Sequence, residues 1–168
     1  DDYIGRMPTG QDVIWYITAD SHAAAKSSPQ IEGLHAKDIE VLLLSDRIDE
    51  WMIGYLGEYA GKKLRNAGKG DLDVAQPDEA ESEKRKDAEK AAEGVVAKLK
   101  SLLGERVGDV RVSHRLIDSP SVLVLGEHDM ALHMQRLLRE AGHDVPASPP
   151  VLEINPSHPL VRRIEGEG

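Results

Sequence analysis

The stretch that most constrains this chain is IEVLLLS (39–45), an unbroken apolar run of strand length. Such a run has no polar alternation, so it reads as a strand covered on both faces, as in parallel sheets flanked by helices. DVIWYIT (12–18) is rich in β-branched and aromatic residues and reads as a second strand. Between the two, SHAAAKSS (21–28) predicts a short helix capped by Ser21 or Asp20 and ended by Pro29. QIEGLHAKD (30–38) predicts another short helix. Residues 45–61 predict a longer one, with Asp46 as N-cap, Asp49 completing a capping box and Gly61 just past its end. Ile48, Met52, Tyr55, Leu56 and Tyr59 recur there at helical spacing, and Trp51 lies off that stripe beside Glu50 and Gly54. KKLRNAG (62–68) reads as a short strand. Strand–helix–strand order of this kind implies a small α/β layer with parallel pairing.

A polar stretch, GKGDLDVAQPDEAE (68–81), marks a boundary. A long helix follows over 83–104, with interleaved Glu and Lys in its first half. Its second half carries an apolar stripe through Ala88, Ala91, Val95, Val96, Leu99, Leu102 and Leu103. RVGDVRVSH (106–114), SVLVLG (121–126) and VLEIN (151–155) read as strands. A helix lies between the last two, ending near Gly142, and HDVPASPP (143–150) is a loop. Asn155 is placed to cap a further helix with Pro156 at its first position. The expected architecture is therefore α/β and α+β. A small, three-layer-like α/β unit (1–73) is followed by a charged linker and long helix (74–104), then by a mixed α+β unit (105–168). The chain opens without Met and breaks off in a nascent helix, as expected of a piece of a longer protein.

The composition narrows the function. A net charge of −9 argues against nucleic-acid or anionic-membrane binding. No apolar run approaches the roughly 20 residues of a membrane span. The absence of cysteine removes disulfides and thiolate metal sites and fits a reducing, cytoplasmic setting. No phosphate-cradling glycine loop, nucleophile elbow or His-Glu-x-x-His run is present. His128 and His133 are five apart, a spacing that does not share one helix face. Asp46, Asp49 and Glu50 cluster at a helix start, where carboxylates serve as cap and dipole partners. The expectation is a chain with no catalytic, cofactor-binding or metal-binding residues of its own.

EHDMALHMQRLL (127–138) carries the sharper signal. Met130, Met134, Leu137, Leu138 and Ala141 form a narrow apolar stripe, and Asp129, His133, Gln135, Arg136 and Glu140 lie opposite. Periodicity by itself suits a stripe packed on the core. Flexible, polarizable Met is also over-used on surfaces that must fit many partners, and an exposed apolar stripe marks an interaction site. Trp51 poses the same choice on its helix.

YIGRMPTGQDVIWYITADSHAAAKSSPQIEGLHAKDIEVLLLSDRIDEWM closely resembles the end of the middle region of the ninety-kilodalton heat-shock chaperones. RVGDVRVSHRLIDSPSVLV and LEINPSHPLV resemble the start of their C-terminal domain, and the short Met-bearing helix resembles the bacterial form. The resemblance runs through nearly the whole chain and is weakest at 74–90. It implies a cytoplasmic, stress-linked, homodimeric chaperone driven by ATP and magnesium, which holds unfolded or partly folded clients and works with co-chaperones. It places the nucleotide site, the catalytic arginine and the dimer-forming helices outside this chain, so no ATP hydrolysis is expected of it. It assigns client contact to Glu50 and Trp51 on one helix and to Met130, Met134, Leu137 and Leu138 on the other. Gly54 stands where the family commonly has Asn, and Leu138 where it often has an aromatic. The rival expectation is a purely structural relay with the stripe buried.

Overall fold

The computed structural model describes residues 1–72, 79–130, 132–144 and 148–166. The expected boundary at 73–74 and the loop residues 145–147 lie outside the described residues.

Two sheets organise the chain. The first has the order β2-β1-β4-β3, with β1 (Val13–Thr18), β2 (Val41–Leu44), β3 (Glu58–Tyr59) and β4 (Lys62–Asn66). β1 is central and parallel to both neighbours, pairing Trp15 with Val41 on one side and with Arg65 on the other. It is buried nearly throughout, and Trp15 is 1% exposed. The apolar run at 41–44 is instead an edge strand, with Leu42, Leu43 and Leu44 half-buried. Its sheet covers it on one side only.

A first helix not foreseen in the sequence, α1 (Asp2–Arg6), brings Tyr3 across the strand ends. The Tyr3 hydroxyl donates to the Glu40 carbonyl at 2.7 Å and accepts from the Trp15 N–H at 3.1 Å. The crossover holds α2 (His22–Lys26), whose N-cap Ser21 accepts from the Ala24 N–H. A single tight turn over 29–31 leads into α3 (Glu32–His35). Ile31 and Leu34 seal one face of the core with Trp15, Ile17 and Ala67.

α4 (Arg47–Tyr55) starts with the expected Asp46–Asp49 capping box but ends six residues before Gly61. Gly61 is a turn residue instead. Ala60 and Gly61 have φ of 49° and 75°, the two left-handed residues of a tight β3–β4 hairpin.

The expected long helix is two, α5 (Glu79–Ala91) and α6 (Glu93–Leu103), broken at Ala92 with φ −92° and ψ 0°. The break lays Val95 and Leu99 of α6 against the second sheet. That sheet has the order β5-β7-β6, from β5 (Asp109–Val112), β6 (Ser121–Val124) and β7 (Val151–Ile154). β7 is parallel to β5 and antiparallel to β6, so the sheet is mixed. α7 (Leu132–Glu140) starts after Met130, leaving that methionine in the preceding turn. Asn155 does not cap a helix at Pro156. Its side chain accepts from the Ser157 N–H, and α8 (Pro159–Gly166) starts at the next proline.

The two sheets are joined by polar contacts. Gly70 N–H donates to the Leu125 carbonyl and Leu125 N–H to the Gly68 carbonyl, an isolated parallel bridge. Gln30 Nε2 donates to the Leu123 carbonyl at 2.9 Å. Gly33 of α3 lies against the backbone of Arg115, where an added Cβ would sit 2.9 Å from the Arg115 oxygen. Backbone on both sides cannot yield as a side-chain tip would. Gly33→Ala is therefore expected to cost about 1–2 kcal/mol in urea unfolding, as overpacking does.

Candidate functional site

α4 has no buried residue. Its Ile48–Met52–Tyr55 stripe faces water, with exposures of 68%, 44% and 90%. Trp51, at 56%, lies on the same outer face rather than apart from it. The 3.6-residue period is real, but the sheet beneath is covered by other residues. Ile53 and Leu56, half-buried, take the inner side with Glu50. A Cβ added at Gly54 would meet nothing within 4 Å, so that position is a smooth shoulder of the helix.

Glu50 does not share the exposure of Trp51. Both its carboxylate oxygens are shielded from solvent, and neither accepts a hydrogen bond among the described residues. Its charge is felt by Tyr16 and by Lys69. Burial pushes the Lys69 ammonium below its ordinary range, and the carboxylates of Glu50 and Asp129 partly oppose that shift. Lys69 thus feels the charge of one carboxylate on α4 and of one in the turn before α7.

α7 is held by polar groups. Gln135, which the sequence placed on the solvent face, is buried, and its Nε2 donates to the Met130 carbonyl at 2.7 Å. The side-chain amide closes the turn into the helix, which is why a polar residue goes inside. Asp129 accepts from the Gly126 N–H and from Ser148 Oγ, pinning the turn from both sides. Arg136 donates to Asp20 at 2.6 Å and fastens α7 to the loop after β1.

With these anchors, the apolar stripe is not required to bury itself. Met130 is 41% exposed, and Met134 and Leu138 are half-buried. Leu137 lies on α7, but its side chain is outside the described residues. A cleft of about 420 Å³ runs below α7, lined by Thr18, Asp20, Gln30, Asn66, Lys69 and Arg136. It sits beyond the carboxyl ends of the parallel strands β1 and β4, where open α/β sheets offer concave surface.

A second cleft of about 450 Å³ lies between α5–α6 and β5. Arg111 and Glu153 on its wall are already bonded to each other. No group of three or more His, Asp or Glu residues that could hold a metal occurs among the described residues. Nor, among them, is any helix long and apolar enough to cross a membrane.

The family model described as Hsp90 protein matches residues 1–167. The chain is 50% identical over 167 residues to the chaperone protein HtpG of Nitrosococcus oceani, covering 99% of this chain and 26% of that protein. It is 52% identical to that of Chromobacterium violaceum, with the same coverage of 99% and 26%. It is 50% identical to that of Legionella pneumophila over 164 residues, 98% of this chain and 26% of the other. The chain thus spans about a quarter of the length of these relatives.

Proposed function

The chain belongs to the Hsp90 protein family, and from that premise we propose that it is a client-holding portion of an ATP-dependent, homodimeric chaperone. ATP and magnesium belong, in this reading, to another part of the longer protein. The chain's own task is non-covalent: apolar segments of partly folded clients pack on Met130, Met134, Leu137 and Leu138 and on Trp51.

The observation that carries this reading is the exposure of Met130 and Trp51. Covering about 400 Å² of apolar surface gives roughly 10 kcal/mol gross. Association and ordering costs reduce that to weak, reversible contact, as holding and release require. Glu50 acts here through its long-range charge, because its carboxylate is shielded.

The test is a double substitution, Met130→Ser with Met134→Ser. Affinity for a fluorescent, partly folded client should fall about tenfold, while Tm moves little because neither side chain is fully buried. A drop in Tm of ten degrees or more, with client affinity kept, would overturn the reading. A second reading, a mechanical relay between the two sheets, is favoured by buried Arg115, which bonds Glu153 of the second sheet and the Ala67 and Gly70 carbonyls in the segment leaving the first. The two are compatible, since a joint that moves α7 relative to α4 would also reshape the client surface.

A further inference from the structure

The chain has four methionines and no cysteine, so every sulfur it holds is a thioether. None of the four joins an apolar core among the described residues. Those cores are built from Trp15 and from Ile, Leu, Val and Ala side chains. Met7 and Met134 are half-buried, whereas Met52 and Met130 are 44% and 41% exposed. Sulfur is thus kept out of the packing that holds the fold and is offered to solvent on α4 and in the turn before α7.

Met is the apolar side chain that a mild oxidant makes polar. A peroxide does so in one two-electron step. The thioether sulfur attacks one peroxide oxygen, and an S–O bond forms as the O–O bond breaks. The departing oxygen leaves as hydroxide, which takes a proton and becomes water. Sulfur is oxidised to the sulfoxide and the peroxide is reduced. A dithiol-dependent reductase reverses the change: the sulfoxide oxygen leaves as water while two thiols become a disulfide. The first step needs access to sulfur, so Met52 and Met130 react before Met7 and Met134.

The surroundings of Met130 separate a change of surface from a loss of fold. Gln135 Nε2 donates to its carbonyl at 2.7 Å. Asp129 beside it accepts from the Gly126 N–H and from Ser148 Oγ. These bonds use main chain and polar neighbours, and none of them involves the thioether. A sulfoxide at Met130 leaves the turn pinned and makes its exposed surface polar. Met52 follows Trp51 on α4, a helix with no buried residue, so a sulfoxide there also meets water.

We propose that Met130 and Met52 are reversible oxidation sites, through which peroxide-class oxidants weaken the apolar grip of the chain while its fold stays intact. The proposal rests on the client-holding reading and names a regulation of that same surface.

The experiment treats the whole chain with dilute hydrogen peroxide. Peptide mass spectrometry should find sulfoxide at Met52 and Met130 well before Met7 and Met134. Affinity for a fluorescent, partly folded client should then fall about fivefold, because the flexible apolar contact is lost. Tm should move by no more than about two degrees, since no core side chain changes. Methionine sulfoxide reductases acting on both epimers, supplied with a dithiol, should restore the affinity. Met52→Leu with Met130→Leu, compared with its own untreated form, should lose less than about half its affinity under the same treatment, because Leu carries no sulfur. Met130 surviving as a thioether, sulfoxide-bearing chain that keeps its affinity, or a double variant as sensitive as the unmodified chain overturns the proposal. So does a fall in Tm of about ten degrees on oxidation, which would trace the lost grip to unfolding. If a client binds the untreated chain and any of these is seen, only the oxidation proposal falls. If no client binds the untreated chain, the client-holding reading falls with it.

Discussion

Replacing Arg115 by Met is expected to lower the stability of the chain by about 3 kcal/mol, the scale for breaking a buried ion pair by removing one partner. Arg115 is 2% exposed and sits where the two sheets meet. Its Nε donates to Glu153 Oε2 at 2.9 Å, within the second sheet. Nη1 donates to the Ala67 carbonyl at 2.6 Å and Nη2 to the Gly70 carbonyl at 2.5 Å, both in the segment leaving the first sheet. One planar fork thus satisfies a buried carboxylate, the buried Ala67 carbonyl and the partly buried Gly70 carbonyl. Removal takes this donor from both carbonyls, while Arg111 and Ser113 still donate to Glu153 and limit the loss.

Lys in place of Arg115 keeps the charge but cannot reproduce the fork, so it should recover only part of the loss. Urea unfolding measures the effect, and hydrogen exchange at the Gly70 and Leu125 amides should quicken selectively. A loss under about 1 kcal/mol with unchanged exchange would show that the joint does not depend on this residue.

The second large effect is expected at Glu32, where Ala should cost about 2 kcal/mol, in the range for hydrogen bonds to a charged group. Its Oε2 accepts from the backbone N–H groups of Ile117, Asp118 and Ser119, at 2.7, 3.0 and 3.3 Å. Its Oε1 accepts from the Ser119 hydroxyl. The carboxylate from α3 closes a backbone nest in the second half of the chain. Burial alone would raise the Glu32 pKa, but the bonds from Ser119 and the three N–H groups outweigh it and hold the carboxyl below the usual range.

The sign for pH follows. A carboxyl depressed in the folded state contributes stability that is fully present above its unfolded pKa and is lost as pH falls through the folded value. Unmodified chain should therefore lose stability more steeply than Glu32→Gln as pH drops below the ordinary carboxylate range. Parallel pH profiles for the two proteins would sink this account.

Local chemistry was legible wherever it was self-contained. The strand character of 13–18, 109–112, 121–124 and 151–154, the Ser21 cap and the Asp46–Asp49 box all depend on neighbouring residues, whereas burial went to the central β1 and not to the apolar run of the edge strand β2. Gly61 was readable as a breaker but not as a hairpin residue, because its role depends on where β4 pairs. The break at Ala92 left little trace, since Ala is the best of helix formers and the kink answers to the sheet beneath α6.

The candidate surfaces divide in the same way. Spacing alone identifies the stripes of α4 and α7, and the sequence carries the likeness to the Hsp90 family across almost its full length. Which side of each helix meets water depends on partners distant in the chain. Gln135 turned inward because it bonds the Met130 carbonyl, α7 leans on Asp20, and Ile31 and Leu34 occupy the core beside Trp15 and Ile17, which leaves the α4 stripe outside it. A periodic pattern specifies a face, whereas exposure depends on what else competes for the same core, and only the tertiary structure decides that competition.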